Sequence, residues 1–261
     1  MVLNETAEAG LGKKLELMNH DFGRFAVRAV LAGIYLTIAT AFSGVAGYAV
    51  EQLAPGLGGI VFAFLFGFGL YAIIILGAEL ATGNMMFSSY GATTGQTTWG
   101  KAIWLVIVTT IFNLVGAILV ALLLSQSAKF AGMDQTHLIS TLTEGKLEKS
   151  AWGAFLEGIG ANFVVNMAIV GASFSKDLVS KFFTIIAFLA IFVGLGLEHV
   201  IANFSLMTIT FFSADPLPAS MTLGSVLLNW LMVWLGNFVG GGLLIGAVYA
   251  WLNKTKTVYK D

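Results

Sequence analysis

The chain has 261 residues, 57% of them hydrophobic and 10% charged, with a formal net charge of −1 and a mean hydropathy of +0.88. A soluble domain carries about 25% charged residues, so this composition belongs to a chain that crosses a membrane several times. The near-neutral charge excludes a basic nucleic-acid surface. The absence of cysteine excludes a disulfide frame, an iron–sulfur cluster and a thiolate metal site.

Residues 1–24 hold Glu5, Glu8, Lys13, Lys14, Glu16 and Asp21 and lack the apolar run of a signal peptide, which predicts a short interfacial helix. Six spans follow from runs of about 20 apolar residues. The first covers 25–50 and ends at Glu51 and the turn Ala54-Pro55-Gly56. The second, 57–90, is too long for one crossing and is interrupted. The third covers 102–125, and a polar connection over 126–150 leads to the fourth at 151–173. The fifth, 182–212, is interrupted like the second. The turn Asp215-Pro216-Leu217-Pro218 precedes the sixth at 220–253, and a tail occupies 254–261. With both termini on one side, ten of the thirteen basic residues share that side, and only Lys129, Lys146 and Lys149 fall opposite. That bias predicts cytoplasmic termini.

Both interruptions have one skeleton. Gly77-Ala78-Glu79-Leu80-Ala81-Thr82-Gly83-Asn84 and Gly196-Leu197-Glu198-His199-Val200-Ile201-Ala202-Asn203 each read Gly-x-Glu-x-x-x-small-Asn, 119 residues apart. A carboxylate inside a span costs roughly 2.5–3.5 kcal/mol on insertion scales, which makes it a functional candidate. Further echoes join span three to span six (Asn113-Leu114-Val115-Gly116 and Asn237-Phe238-Val239-Gly240) and span one to span four (Ala32-Gly33-Ile34 and Glu157-Gly158-Ile159). Three spans per copy is odd, so the second copy, about 151–253, lies inverted relative to the first, about 25–125. The expected fold is therefore a single all-α transmembrane domain over 1–261. It has six transmembrane helices in two inverted three-helix repeats, with helices two and five broken near the midplane.

A break in lipid leaves backbone groups that only protein or a water-lined cavity can satisfy, and the half-helix that follows turns its positive end toward the gap. Glu79 and Glu198 have two roles open to them: holding the loops by accepting hydrogen bonds, or carrying protons or cations. Thr82 adds a hydroxyl, and Asn84 and Asn203 can tie the loops. His199 is the only histidine inside a span, and its counterpart is Leu80. An imidazole titrates near neutral pH, which suits a pore role. Metal ligation lacks a second histidine or cysteine nearby. No metal and no cofactor is expected.

Residues 77–87, Gly-Ala-Glu-Leu-Ala-Thr-Gly-Asn-Met-Met-Phe, resemble the first loop signature of the formate/nitrite transporter family. Residues 196–204 resemble its second, Gly158-Ile159-Gly160-Ala161-Asn162 a span-four motif, and Asn229 with Leu235-Gly236-Asn237 and Gly240-Gly241 the last-span pattern. The resemblance covers nearly the whole chain. It implies an aquaporin-like protomer in a homopentamer, with one substrate path per subunit in the cell (plasma or inner) membrane. It places His199 and Thr82 facing each other in the pore, with Asn162 and Asn203 hydrogen-bonding around the loops. Phe66, Leu80 and Phe192 fall at one constriction, and Leu70 and Val165 at the other. Lys146 or Lys149 would attract anions on the outer side, with motif spacing favouring Lys146. Ala81 stands where many members carry an aromatic residue.

The implied activity is not enzymatic. It is transport of a small monovalent weak-acid anion together with protons, formate first, with nitrite, hydrosulfide and lactate as alternatives. A water or small-neutral-solute channel shares the inverted logic, but such channels repeat Asn-Pro-Ala, and neither octet contains proline. A non-transporting scaffold leaves the buried Glu79, Glu198 and His199 unexplained.

Overall fold

The computed structural model describes residues 3–257; residues 258–261 of the C-terminal tail, with Lys260, lie outside them. Nearly all of the described chain is helical. An amphipathic helix, α1 (Leu3–His20), leads into α2 (Phe22–Leu53). Then come α3 (Gly58–Ile75), α4 (Ala81–Thr94) and α5 (Trp99–Ser125). The second half runs α6 (Leu138–Leu147), α7 (Ala151–Phe174), α8 (Leu178–Gly194), α9 (Val200–Ser213) and α10 (Leu223–Asn237). A π-helical stretch (Phe238–Ala247) and α11 (Val248–Asn253) continue α10 to the end of the last span. Five of these segments are long and apolar enough to cross a bilayer: Phe22–Leu53, Gly58–Ile75, Trp99–Ser125, Ala151–Phe174 and Leu223–Asn253. The apolar run 182–212 appears as the two shorter helices α8 and α9. Helix starts carry side-chain caps where the sequence supplies them, including Asp21, Thr98, Ser150, Asp177 and Thr222.

The polar connection 126–150, read from sequence as a linker, contains α6. This helix precedes α7 as α1 precedes α2, so each half has an amphipathic helix before its first span.

The halves pack alike. α2 lies on α5 as α7 lies on α10, α9 packs on α5 as α4 packs on the last span, and α3 and α8 pack on each other. Close approach in each half needs glycine. A Cβ on Gly116 would run into the carbonyl of Val30, and one on Gly240 into that of Ile159. Asn113 and Asn237 then fix the register. Asn113 Nδ2 donates to Ala29 O at 2.7 Å, and Asn237 Nδ2 to Gly158 O at 2.8 Å. Gly158 therefore matches Ala29 and not Gly33, so the echo between spans one and four lies one helical turn from where the glycine pattern put it. Gly33 matches Asn162: a Cβ at Gly33 would meet Asn113 O, and the Asn162 side chain donates to Asn237 O at 2.8 Å.

Candidate functional site

The two breaks have the same backbone. Leu76 N donates to Ala72 O and Ala78 N to Ile73 O, both at 3.0 Å; Leu195 N donates to Ile191 O at 3.0 Å and Leu197 N to Phe192 O at 3.3 Å. Gly77 (φ +69°) and Gly196 (φ +67°) occupy the left-handed region that glycine tolerates at a helix C-terminus. The helices restart with Asn84 N donating to Leu80 O and Asn203 N to His199 O, both at 2.9 Å.

One asparagine ties each break. Besides Ala29, Asn113 Nδ2 donates to Glu79 O at 2.9 Å, and its Oδ1 accepts from Ala81 N at 2.9 Å. Asn237 repeats this with Glu198 O and Val200 N, both at 2.9 Å. Both side chains are fully buried, and together they satisfy the backbone that broken helices would otherwise leave bare in lipid. In the sequence they stand out as an echo, and Asn237 also as part of the last-span motif. Their signal was an amide recurring at one register inside apolar spans.

The carboxylates are paired. Glu79 Oε2 accepts from Lys14 Nζ of α1 at 2.5 Å. Glu198, fully buried, accepts on Oε1 from Lys146 Nζ of α6 at 2.9 Å and Lys149 Nζ at 2.8 Å, and on Oε2 from Asn203 Nδ2 at 2.6 Å. Lys149 also bonds Glu157 and donates to Gly196 O at 2.9 Å. Burial opposes its charge, but the carboxylates of Glu198 and Glu157 outweigh that and hold the Lys149 pKa above the ordinary lysine value. Asn203 also donates to Asn229 Oδ1 at 2.8 Å, and Asn84 Nδ2 donates to Thr109 Oγ1 at 3.1 Å.

Where the halves differ, the chemistry appears. Thr82 Oγ1 and His199 Nε2 lie 2.8 Å apart, joining the starts of α4 and α9, with Thr82 fully buried and His199 nearly so. His199 Nδ1 caps α9 by accepting from Ala202 N at 3.2 Å. An accepting Nδ1 carries no proton, so the neutral ring's proton sits on Nε2 and donates to Thr82. The Thr82 O–H is then left to donate elsewhere. Asn162 Nδ2 holds the Thr82 carbonyl at 3.2 Å, and Asn166, one turn on, donates to Asn162 Oδ1 at 2.9 Å. Asn162 and Asn203 thus spend their amides on the loops.

The Phe192 ring lies 5.8 Å from His199 and 6.0 Å from Phe66, which stacks on Phe62. Phe66, Leu70, Leu80, Val165 and Phe192 are all buried in the main core. Leu70 and Leu80 both line a cavity of about 290 Å³ beneath α1 that also contacts Lys14, Glu79 and Ile169. Among the described residues no three imidazole or carboxylate groups gather as a metal site.

The sequence profile described as formate/nitrite transporter matches residues 2–251. Over 250 residues the chain is 30% identical to a probable formate transporter of Methanothermobacter thermautotrophicus, covering 87% of this chain and 88% of that one. Over 232 residues it is 30% identical to the nitrite transporter NirC of Escherichia coli (strain K12), covering 88% and 84%. Among solved structures it is similar to an FNT family ion channel (TM-score 0.88, 28% identity, 95% of this chain and 97% of that chain). It is also similar to a pentameric formate channel with formate bound (TM-score 0.73, 25% identity, 88% and 96%).

Proposed function

The chain belongs to the formate/nitrite transporter family, and on that footing we propose that it carries a small monovalent weak-acid anion, formate first, through one pore in each subunit of a homopentamer. It is a multi-pass membrane protein; the excess of basic residues on the side of the termini supports cytoplasmic ends in a plasma or inner membrane. The observation that carries the reading is the 2.8 Å contact between Thr82 and His199 where two broken helices meet.

A bare anion passing apolar side chains such as Phe66, Phe192, Leu70 and Leu80 would pay a desolvation cost of several kcal/mol or more. Protonation removes most of it. The His199 geometry suits a neutral passenger: its Nδ1 is spent on the α9 cap and its Nε2–H on Thr82 Oγ1, which leaves the hydroxyl's own proton as an uncharged donor for the acid. The acid then crosses neutral, with a proton accompanying each anion.

Lys146 fits the outer collector. Lys149 commits all three of its N–H groups, to Glu157, Gly196 O and Glu198 Oε1. Lys146 makes one firm bond, to Glu198, and a second contact at 3.5 Å to Leu197 O, which leaves a proton for an incoming anion. On the opposite face Lys14 pairs with Glu79 beside the cavity that leads toward Leu80.

The test is flux of formate, nitrite, hydrosulfide and lactate into proteoliposomes under one pH gradient. Formate uptake should be fastest and should speed up as the outside is acidified. Rapid osmotic water flow without formate flux would overturn the reading in favour of a water channel.

A further inference from the structure

Gly77 and Gly196 are equivalent positions in the two breaks, and each offers its carbonyl to a cation. Arg28 Nη1 donates to Gly77 O at 2.6 Å, and Lys149 Nζ donates to Gly196 O at 2.9 Å. The two cations come from different places. Since Ala29 matches Gly158 through the Asn113 and Asn237 bonds, the residue matching Arg28 is Glu157. One half therefore puts a cation directly on its glycine carbonyl. The other puts a carboxylate at that position, which binds Lys149, and Lys149 bonds the carbonyl.

Two unlike side chains thus deliver a positive donor to the same atom. That atom belongs to the last turn before the break, where α3 and α8 end with unpaired carbonyls and a partial negative charge. Arg28 also holds the loop through its main chain, accepting Glu79 N at 3.1 Å. Both glycines lie at the exposed end of their break, where water could otherwise hydrate the carbonyl, so a side-chain donor there fixes geometry as well as satisfying an acceptor.

We propose that Arg28 and Lys149 are positioning residues that brace the two breaks. By pinning Gly77 O and Gly196 O they keep the starts of α4 and α9 in register, so that Thr82 and His199 meet. The inference rests on the reading of that pair as pore groups. It separates Lys149, the brace, from Lys146, the collector.

The experiment rebuilds one half's solution in the other. Lys149→Met should cut maximal formate flux about tenfold, the effect of losing the charge-assisted bond to Gly196 O while Lys146 still pairs with Glu198, with little change in the outer KM, whereas Lys146→Met should raise that KM. Adding Glu157→Arg to Lys149→Met copies the Arg28 arrangement and should restore most of the flux. Glu157→Ala with Lys149→Met keeps the same net charge around Glu198 as the native cluster but lacks the brace, and should stay slow. The brace is refuted if the Arg double variant is no faster than the Ala double variant, or if the Ala double variant matches the native protein. Amide hydrogen exchange over residues 195–200 reads the same question without substrate. It should quicken in Lys149→Met and slow again in the Arg double variant, and unchanged exchange in Lys149→Met would overturn the proposal. If the native protein moves no formate, the transport reading fails, and the exchange measurement still decides the brace.

Discussion

Removing the contact between Thr82 and His199 from either side, and then from both, tests whether it is the working unit of the pore. Thr82→Val keeps the side-chain shape and removes the hydroxyl. His199→Asn keeps a side chain able to cap α9 and accept from Ala202 N, but removes Nε2. Each change strands one buried polar group whose partner was 2.8 Å away. Leaving such a group unpaired costs about 1–3 kcal/mol, so flux should fall by about 5- to 150-fold in each single variant if the bond is made as substrate passes. The double variant strands nothing in this pair and should be little slower than the slower single variant. The expected coupling is at least about 1 kcal/mol, well above the scatter of about 0.3–0.5 kcal/mol for independent sites. Initial rates of formate uptake into proteoliposomes, at equal reconstitution and fixed pH, give the four corners of the cycle. Losses that simply add would show that the two groups act separately and would refute the shared hydroxyl–imidazole donor.

Asn113→Ala and Asn237→Ala each strand one carbonyl and one N–H of a buried break, Glu79 O with Ala81 N and Glu198 O with Val200 N, at about 1–3 kcal/mol per group. Both should lower the thermal stability of the detergent-solubilised protein by similar amounts, and native-like melting of either would refute its role as a tie. Glu198→Gln leaves Lys146 and Lys149 facing a neutral amide. Breaking a buried ion pair costs about 3–5 kcal/mol, so the variant should melt well below the native protein, and Lys146→Met added to it, which removes the cation left without its carboxylate while Lys149 keeps Glu157, should recover part of the loss. His137 caps α6 through Nδ1, accepting from Ile139 N at 3.2 Å, with its ring 4.5 Å from that of Tyr48. Burial, partly offset by Asp134, holds its pKa below the ordinary 6.5. The folded state therefore binds this proton less readily than the unfolded chain. The stability His137 contributes is full above pH 6.5 and is lost as pH falls from there through the lowered folded value. His137→Asn, which caps without titrating, should flatten that acid-side loss in a melting series from about pH 7.5 to about pH 5, and an unchanged slope would assign the loss elsewhere.

The sequence by itself determined the membrane class, the apolar runs and the place of both breaks, because a carboxylate inside an apolar run is visible without coordinates. It also singled out His199 and Thr82, polar side chains whose counterparts in the other octet, Leu80 and Ile201, are apolar. Partners that meet across long chain separations were not legible. Lys14 reaches Glu79 from α1, and Lys146 reaches Glu198 from a helix inside a stretch that read as a polar linker. Only helix packing could show that Glu157 stands where Arg28 stands, because glycine spacing is satisfied equally well one turn away and the register is decided by which carbonyl each asparagine reaches. Periodicity along one helix says which face is apolar, whereas the equivalence of two halves depends on contacts between helices. For that reason the loops were readable from sequence and the side chains that brace them were not.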